Sequence, residues 1–259
     1  MNTSFEPICA ASAPCKCCGA DAPLYGVADF HKHCNVTAPG TLALSGIPIY
    51  YHRCRECGFL FTAAFDNWTP DDFSRHVYND EYVLADPDFQ AARPANNAHL
   101  ICHLFGGTPS LSILDYGGGN GRTAALLREA GFRDVDTYDP FVPAHAAKPA
   151  RRYDLVISIE VLEHSPQPRA TLEEMDSLVA PDGLILFSTL LQGADLETCG
   201  MNWWYIGPRN GHVSLHSRQS LLCLAGPLGY QFGSCGDGLH VLFRQPPEFA
   251  RHFITGGKA

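Results

Sequence analysis

The feature that most constrains the fold is a glycine-rich turn between a short apolar stretch and a helical pattern. Leu111–Leu114 is predicted to form a strand, residues 115–121 the turn, and Arg122–Ala130 a helix that Gly131 ends. Val135–Tyr138 is then predicted to form a second strand, which ends at Asp139. Strand, helix and strand in this order form a βαβ unit, so the sequence predicts an α/β fold with parallel strands.

The positions of the glycines exclude two common nucleotide-binding loops. A dinucleotide fingerprint that starts at Gly117 needs glycine where Arg122 stands, and one that starts at Gly119 needs glycine where Ala124 stands. A phosphate-binding P-loop that ends at Gly121 needs glycine where Tyr116 stands. Neither of these two loops therefore fits the turn.

The pattern that does fit is D-x-G-x-G-x-G, formed by Asp115, Gly117, Gly119 and Gly121. It resembles motif I of the class I S-adenosylmethionine-dependent methyltransferases, in which cysteine is common where this chain has Gly118. The resemblance implies a cofactor site formed by Asp115, Gly117, Gly118, Gly119, Gly121, Asp139 and Glu160. Asp115 is expected to organise the turn, and Asp139 is expected to accept hydrogen bonds from both ribose hydroxyls.

The resemblance extends over about residues 95–245. The run from Tyr153 to His164 resembles the family's fourth strand and the EVLEH segment after it, and residues 180–188 resemble the turn and the fifth strand. Residues 211–217 are similar to a stretch typical of small-molecule and glycan methyltransferases. The family implies a Rossmann-like sheet of seven strands in the order 3-2-1-4-5-7-6, with Tyr230–Cys235 and His240–Phe243 as its last strands.

Three histidines are candidates for a catalytic base, because imidazole titrates near neutral pH. His164 follows the fourth strand and is the first choice, with His212 second and His216 weaker. An alternative is that His164 binds a backbone carbonyl or shapes the cofactor pocket. The aromatic loop around Trp203 and Trp204 either stacks on a planar acceptor or packs against the N-terminal module.

Two C-x-x-C-G units near the N-terminus predict a structural Zn2+ site. Cys15 and Cys18 form one unit, and Cys54 and Cys57 form the other. Together they supply four thiolates for a tetrahedral ion and leave no position for a substrate. The pattern resembles the zinc ribbons that precede some bacterial methyltransferase domains. The alternative is that these cysteines are thiols that bind no metal. Cys17 is expected to be a bystander that does not bind the ion. The role of His31, His33 and Cys34 stays open.

The predicted organisation is a zinc-ribbon-like module at 1–64, a connector that covers the cleft at 65–94, and a methyltransferase domain at 95–259. The formal net charge of −9 disfavours general binding to nucleic acid, so the acceptor is expected to be a small molecule or a sugar. There are two alternatives. One is an RNA methyltransferase that binds RNA through its zinc ribbon, and the other is a non-catalytic module that binds the cofactor. No run is long enough to span a bilayer and the first residues lack a signal peptide, which predicts a cytoplasmic protein.

Overall fold

The structure is a computed structural model, and it describes residues 9–37, 40–89 and 92–254. The strands are β1 Ser12–Pro14, β2 Asp21–Asp29, β3 Pro48–Arg53, β4 Leu60–Thr62, β5 Ser112–Tyr116, β6 Asp134–Tyr138, β7 Tyr153–Ser158, β8 Val179–Ser188, β9 Ser214–Leu215, β10 Gln231–Cys235 and β11 Leu239–Phe243. The helices are α1 Pro70–His76, α2 Tyr82–Ala85, α3 Ala92–Phe105, α4 Arg122–Glu129, α5 Pro168–Leu178, α6 Ala194–Cys199, α7 Arg218–Ala225 and α8 Arg251–Ile254.

The chain forms two compact units that do not follow chain order. The first unit contains residues 1–87, 162–169 and 190–224, and the second contains residues 88–161, 170–189 and 225–259. The division predicted from the sequence cuts the chain at residues 64 and 94 instead, so it assigns the two later segments of the first unit to the methyltransferase domain.

The second unit is built on a mixed sheet in the order β10-β11-β8-β7-β5-β6. β5 pairs in parallel with β6 on one side and with β7 on the other, and β7 pairs in parallel with β8. β11 is antiparallel to β8, and β10 is antiparallel to β11. This arrangement confirms the predicted Rossmann-like α/β class and the predicted positions of the last two strands.

The described part of this sheet has six strands, one fewer than expected. Its order is the predicted one without the outermost strand, which would lie beside β6. Only residues 140–152 connect β6 to β7, and they contain a single 3-10 turn at Pro143–His145. A further parallel strand would need a crossover of about a dozen residues on each side, and this segment is too short for it.

Apolar residues of the strands and helices form the core of the second unit. Ile113, Leu155 and Leu186 are fully buried between neighbouring strands, and Ile101 and Leu127 from α3 and α4 pack against them. The parallel strands β5 and β7 are buried almost throughout, as expected for a sheet covered by helices. This rigid sheet fixes the carboxyl ends of β5, β6 and β7, from which the candidate cofactor residues project.

The first unit contains a five-stranded antiparallel sheet in the order β1-β2-β3-β4-β9. The two cysteine turns follow β1 and β3, and β9 joins the sheet through the pair Leu60 and Leu215. The ammonium group of Lys16 donates to the carbonyls of Thr62 at 2.9 Å and Pro166 at 3.0 Å. These contacts show why segments that are distant in sequence pack with the N-terminal sheet.

Candidate functional site

The glycine-rich turn leaves β5 with three glycines in the left-handed region. Gly117, Gly119 and Gly121 have φ angles of 73°, 56° and 75°, a conformation that side chains with a Cβ disfavour. The amide of Gly117 donates to the carbonyl of Tyr138 at 2.7 Å, which ties the turn to the end of β6. A Cβ at Gly117 would lie 2.4 Å from a methyl group of Val161, whereas a Cβ at Gly119 would meet nothing within 4 Å. The turn is thus packed against the protein at Gly117 and open at Gly119.

Asp115 is buried at the start of this turn. A Cβ at Gly118 would lie 2.3 Å from its Oδ2 atom, so the carboxylate requires glycine at that position. Oδ2 has no hydrogen-bond partner in the described structure. Burial, with the nearby charge of Asp139 as a second cause, raises the pKa of Asp115 to about 7. A ligand that donates a hydrogen bond or carries a positive charge would lower the cost of this buried group.

Asp139 follows β6 and lies beside the turn. Its two carboxylate oxygens accept hydrogen bonds from the amides of Gly119 and Phe141, each at 2.8 Å. These bonds fix the orientation of the carboxylate, and each oxygen retains a second lone pair for a ligand hydroxyl. The open side at Gly119, the orphaned oxygen of Asp115 and the fixed carboxylate of Asp139 together fit a nucleoside with an amino-acid moiety.

Glu160 is the one residue other than glycine with a positive φ, 56°, among the described residues. Its amide donates to the hydroxyl of Ser188 at 2.8 Å, and that hydroxyl donates to its carboxylate at 3.0 Å. Strain of this kind is concentrated at functional sites. Glu160 and Ser188 line a cavity of about 380 Å³ together with Asn96 and Asn97 of α3, and apolar residues such as Leu100, Ile159 and Leu239 form much of the rest of its lining.

Glu163, His164 and His212 come together in the first unit, with one donor atom from each residue within 4.8 Å of the others. Glu163 is fully buried and accepts a hydrogen bond from the hydroxyl of Tyr205 at 2.6 Å. The ring centroids of His164 and His212 are 4.8 Å apart in an edge-to-face arrangement. The two predicted catalytic histidines are therefore neighbours. Neither Glu163 nor Tyr205 was a candidate from the sequence alone, and the only signal for Tyr205 was its position in the aromatic loop.

Nδ1 of each histidine has a hydrogen-bond partner. Nδ1 of His212 lies 2.8 Å from the carbonyl of Tyr205 and 3.5 Å from the sulfur of Cys34. Nδ1 of His164 lies 3.2 Å from the hydroxyl of Tyr78. His216 is buried elsewhere, against the ring of Phe59 and 3.3 Å from the hydroxyl of Ser220, so it lies outside this cluster.

The aromatic loop after β8 packs within the first unit. Trp203 is 2% exposed, whereas Trp204 is 43% exposed. The ammonium group of Lys32 donates to the carbonyls of Trp203, at 2.8 Å, and Ile206. Burial lowers the pKa of Lys32 to about 8. The loop thus contributes Trp203 to the packing of this unit and presents Trp204 on its surface.

The four predicted zinc ligands lie within 4.8 Å of one another. The sulfurs of Cys15 and Cys57 are 3.5 Å apart, as are those of Cys18 and Cys54. Tetrahedral zinc with Zn–S bonds of about 2.3 Å separates its sulfur ligands by slightly more than this, so the donor set fits the ion after a small expansion. The four cysteines would hold Zn2+ in a closed structural site.

Cys17 lies next to this cluster but has a different environment. It is fully buried, and burial raises the pKa of its thiol well above the usual value. Hydrogen bonds from the thiols of Cys17 and Cys57 lower the pKa of Cys15. Cys17 is not one of the four clustered donors, in agreement with its predicted role as a bystander.

Comparison with known proteins identifies a family. Residues 77–232, more than half of the chain, match a family model described as a methyltransferase domain. The curated relatives include ubiquinone biosynthesis O-methyltransferases from Salmonella paratyphi A, 44% identical over 57 residues, and from Citrobacter koseri, 44% identical over 62 residues. These matches cover 22% and 24% of this chain, and they span only 24% and 25% of those relatives.

Two solved structures are similar to this chain at low sequence identity. One is magnesium protoporphyrin IX methyltransferase from Synechocystis with bound SAH, at 20% identity and a TM-score of 0.47, over 69% of this chain and 94% of that one. The other is 1,6-didemethyltoxoflavin-N1-methyltransferase from Burkholderia thailandensis, at 17% identity and a TM-score of 0.46, over 67% of this chain and 84% of that one. In the described parts of the present chain, no helix has both the length and the apolar character needed to cross a membrane.

Proposed function

The chain belongs to the methyltransferase domain family, and we propose that it transfers a methyl group from S-adenosylmethionine to an O, N or C acceptor on a small molecule or sugar. The observation that carries this proposal is the glycine turn with its two carboxylates. It combines an open backbone at Gly119, a fixed acceptor at Asp139 and a buried, unsatisfied oxygen at Asp115.

Each residue of the proposed cofactor site has a distinct role. Asp139 would accept the two ribose hydroxyls, because the amides of Gly119 and Phe141 already hold its carboxylate in place. Asp115 would keep the turn closed and would favour the positive charge of the ligand's amino group. Gly119 would provide close backbone approach, whereas Gly117 and Gly118 would let the turn pack against Val161 and the Asp115 carboxylate. Gly121 would begin α4.

The cofactor supplies a methyl group on a positively charged sulfur, and its thioether product leaves without protonation. The chain therefore has to align the acceptor and, for a hydroxyl or amine, to accept its proton. We assign this role to His164 and His212, which lie side by side. Glu160 is assigned to the cofactor site, since its strained backbone and its bond to Ser188 set the position of its carboxylate.

The class of acceptor follows from charge and from the cavity at Glu160. A chain with a net charge of −9 repels a polyanion. Asn96 and Asn97 offer amide donors and acceptors to hydroxyl groups in a cavity whose remaining lining is largely apolar. These observations support a polar small molecule or a sugar. The four-thiolate zinc site supports a reducing compartment such as the cytoplasm. The division into modules at 1–64, 65–94 and 95–259 stays a prediction.

The test is a calorimetric titration with S-adenosylmethionine, with a nicotinamide dinucleotide as the control ligand. Saturable binding of the first ligand alone is expected. Binding of neither ligand, or of the dinucleotide alone, would contradict the proposed site. A positive result would be followed by a screen of phenolic, amine and sugar acceptors, in which release of S-adenosylhomocysteine measures turnover.

A further inference from the structure

The three side chains of Glu163, His164 and His212 form a donor set of one carboxylate and two imidazoles. We propose that this set binds a divalent first-row transition metal ion, with Zn2+ as the ion that fits it best. The site is distinct from the four-cysteine cluster, because the two donor groups share no residue. Binding of the ion goes beyond the proposed methyl transfer and does not depend on it.

The spacing of the donors suits such an ion. One donor atom of each residue lies within 4.8 Å of the other two. Ligands of tetrahedral zinc at about 2.0 to 2.2 Å lie about 3.3 to 3.6 Å apart, so closure of the site requires the donor atoms to approach one another by at most about 1.5 Å. His164 is only half-buried, so packing constrains its ring less than that of the buried His212. Two histidines and one glutamate are also a known ligand set of catalytic zinc.

All three side chains are oriented by hydrogen bonds of the kind that support metal ligands. Tyr205 holds two of them, since its hydroxyl donates to Glu163 at 2.6 Å and its carbonyl lies 2.8 Å from Nδ1 of His212. The hydroxyl of Tyr78 lies 3.2 Å from Nδ1 of His164. A metal-binding histidine commonly has such a bond at one ring nitrogen while the other nitrogen binds the ion.

Burial and charge favour a cation at this place. Glu163 is 0% exposed and His212 is 4% exposed. A buried carboxylate is costly unless a positive charge compensates it, and a divalent ion does so while two neutral imidazoles complete its coordination. Three protein ligands leave at least one coordination position for water or for an oxygen of another molecule.

The ion would also change how the two histidines act. As ligands their bound nitrogens could not accept a proton, so with the ion present the proton-accepting role assigned to them above would pass from the histidines. The ion would instead supply Lewis-acid chemistry, which lowers the pKa of a hydroxyl bound to it. This consequence rests on the proposed function, whereas the binding of the ion does not.

The experiment measures metal binding directly. The protein is purified with its ribbon zinc in place, treated briefly with a chelator, and titrated with Zn2+ in a calorimeter. We expect one further equivalent of Zn2+ to bind. Glu163→Gln and His164→Asn should each weaken this binding at least about 10-fold, whereas His99→Asn, the same substitution at an exposed histidine outside the cluster, should leave it unchanged. Titration with Co2+ should give the absorption bands of nitrogen and oxygen ligands, without thiolate charge-transfer bands.

Three results would overturn the proposal. They are the absence of a second equivalent in the wild type with Zn2+ and with Co2+, thiolate charge-transfer bands for the second equivalent, and unchanged binding in both cluster variants. His164→Asn is the variant that is expected to fold, because His164 is only half-buried. Its folding is verified if it retains the ribbon zinc and its circular dichroism spectrum is unchanged. Titration of the same variants with S-adenosylmethionine separates this proposal from the proposed function, because the cofactor residues lie elsewhere in the chain.

Discussion

The four-cysteine cluster and the glycine turn are the two proposed sites for a structural ion and a cofactor, and their side chains have different surroundings. In the cluster, four thiols face one another and can all bind one ion, so the site is closed. In the turn, as far as the described residues show, Asp115 has a buried oxygen with no hydrogen-bond partner and Gly119 is open on one side. A bound ion would therefore stabilise the fold at the first site, whereas the second site retains an unfavourable group that a ligand can satisfy.

The largest effect is expected from removing a thiolate of the cluster. Cys54→Ser should lose the zinc ion and destabilise the protein by at least about 4 kcal/mol, because the energy of structural zinc binding is part of the folding energy. The unfolding midpoint should fall by about 10 °C, and zinc content by mass spectrometry should fall to zero at this site. Cys9→Ser, at an exposed cysteine outside the cluster, is the control. Unchanged zinc in Cys54→Ser would refute the assignment.

The second prediction concerns the pH dependence that the turn imposes. The pKa of Asp115 in the folded protein is about 7, above the usual value for an unfolded chain. The folded state therefore holds its proton more tightly, and the contribution of Asp115 to stability falls as the pH rises from about 4 to 7. Asp115→Asn should remove this slope and should stabilise the ligand-free protein by up to about 4 kcal/mol at pH 8.

Unfolding of the ligand-free protein by urea at several pH values measures this effect. The wild type and Asp115→Asn should be equally stable near pH 4 and should diverge as the pH rises. Asp182→Asn, at an exposed aspartate, is expected to follow the wild type throughout. Parallel curves for the wild type and Asp115→Asn would show that the carboxylate is not in an unfavourable state. The same substitution should weaken the binding of S-adenosylmethionine even though it stabilises the fold.

The third prediction tests the packed side of the turn. Gly117→Ala places a Cβ 2.4 Å from Val161 in a backbone conformation with a φ of 73°. The clash and the strained backbone should together cost about 2 to 4 kcal/mol of stability. Gly107→Ala is the matched control, because a Cβ there meets nothing within 4 Å. Thermal unfolding of the two variants should separate them by several degrees, and equal midpoints would contradict the tight packing.

Sequence was sufficient where the signal is local. The register of Gly117, Gly119 and Gly121 predicted a turn whose positive φ angles the structure shows. The spacing within each C-x-x-C-G unit predicted the pairs that the structure brings together. In both cases a few neighbouring residues determine the local backbone, and only the meeting of the two cysteine units needs a distant contact.

Sequence was insufficient where distant segments meet. The pairing of β9 with β4, through Ser214 and Phe61, joins residues that no periodicity connects. For the same reason the cluster of Glu163, His164 and His212 was visible only as two separate histidines. The absence of a strand beside β6 could have been predicted, because the segment 140–152 is too short to hold one. The expectation of seven strands came from the family resemblance and did not take the length of this segment into account.

The smallest of these effects is expected from substitution of Asp139, which should change the affinity for S-adenosylmethionine but not the zinc content of the ribbon. Asp139→Ala should weaken the binding of S-adenosylmethionine by about 10- to 100-fold, which corresponds to the loss of hydrogen bonds to a charged group. Asp139→Asn keeps one carbonyl acceptor and should give an intermediate affinity. Asp134→Ala, at the other end of β6 in an exposed ion pair with Arg151, is the control and should bind like the wild type. A wild-type affinity in Asp139→Ala would contradict the proposal that Asp139 accepts hydrogen bonds from the ribose hydroxyls. Weaker binding together with unchanged zinc content would show that the open turn and the closed cluster act independently.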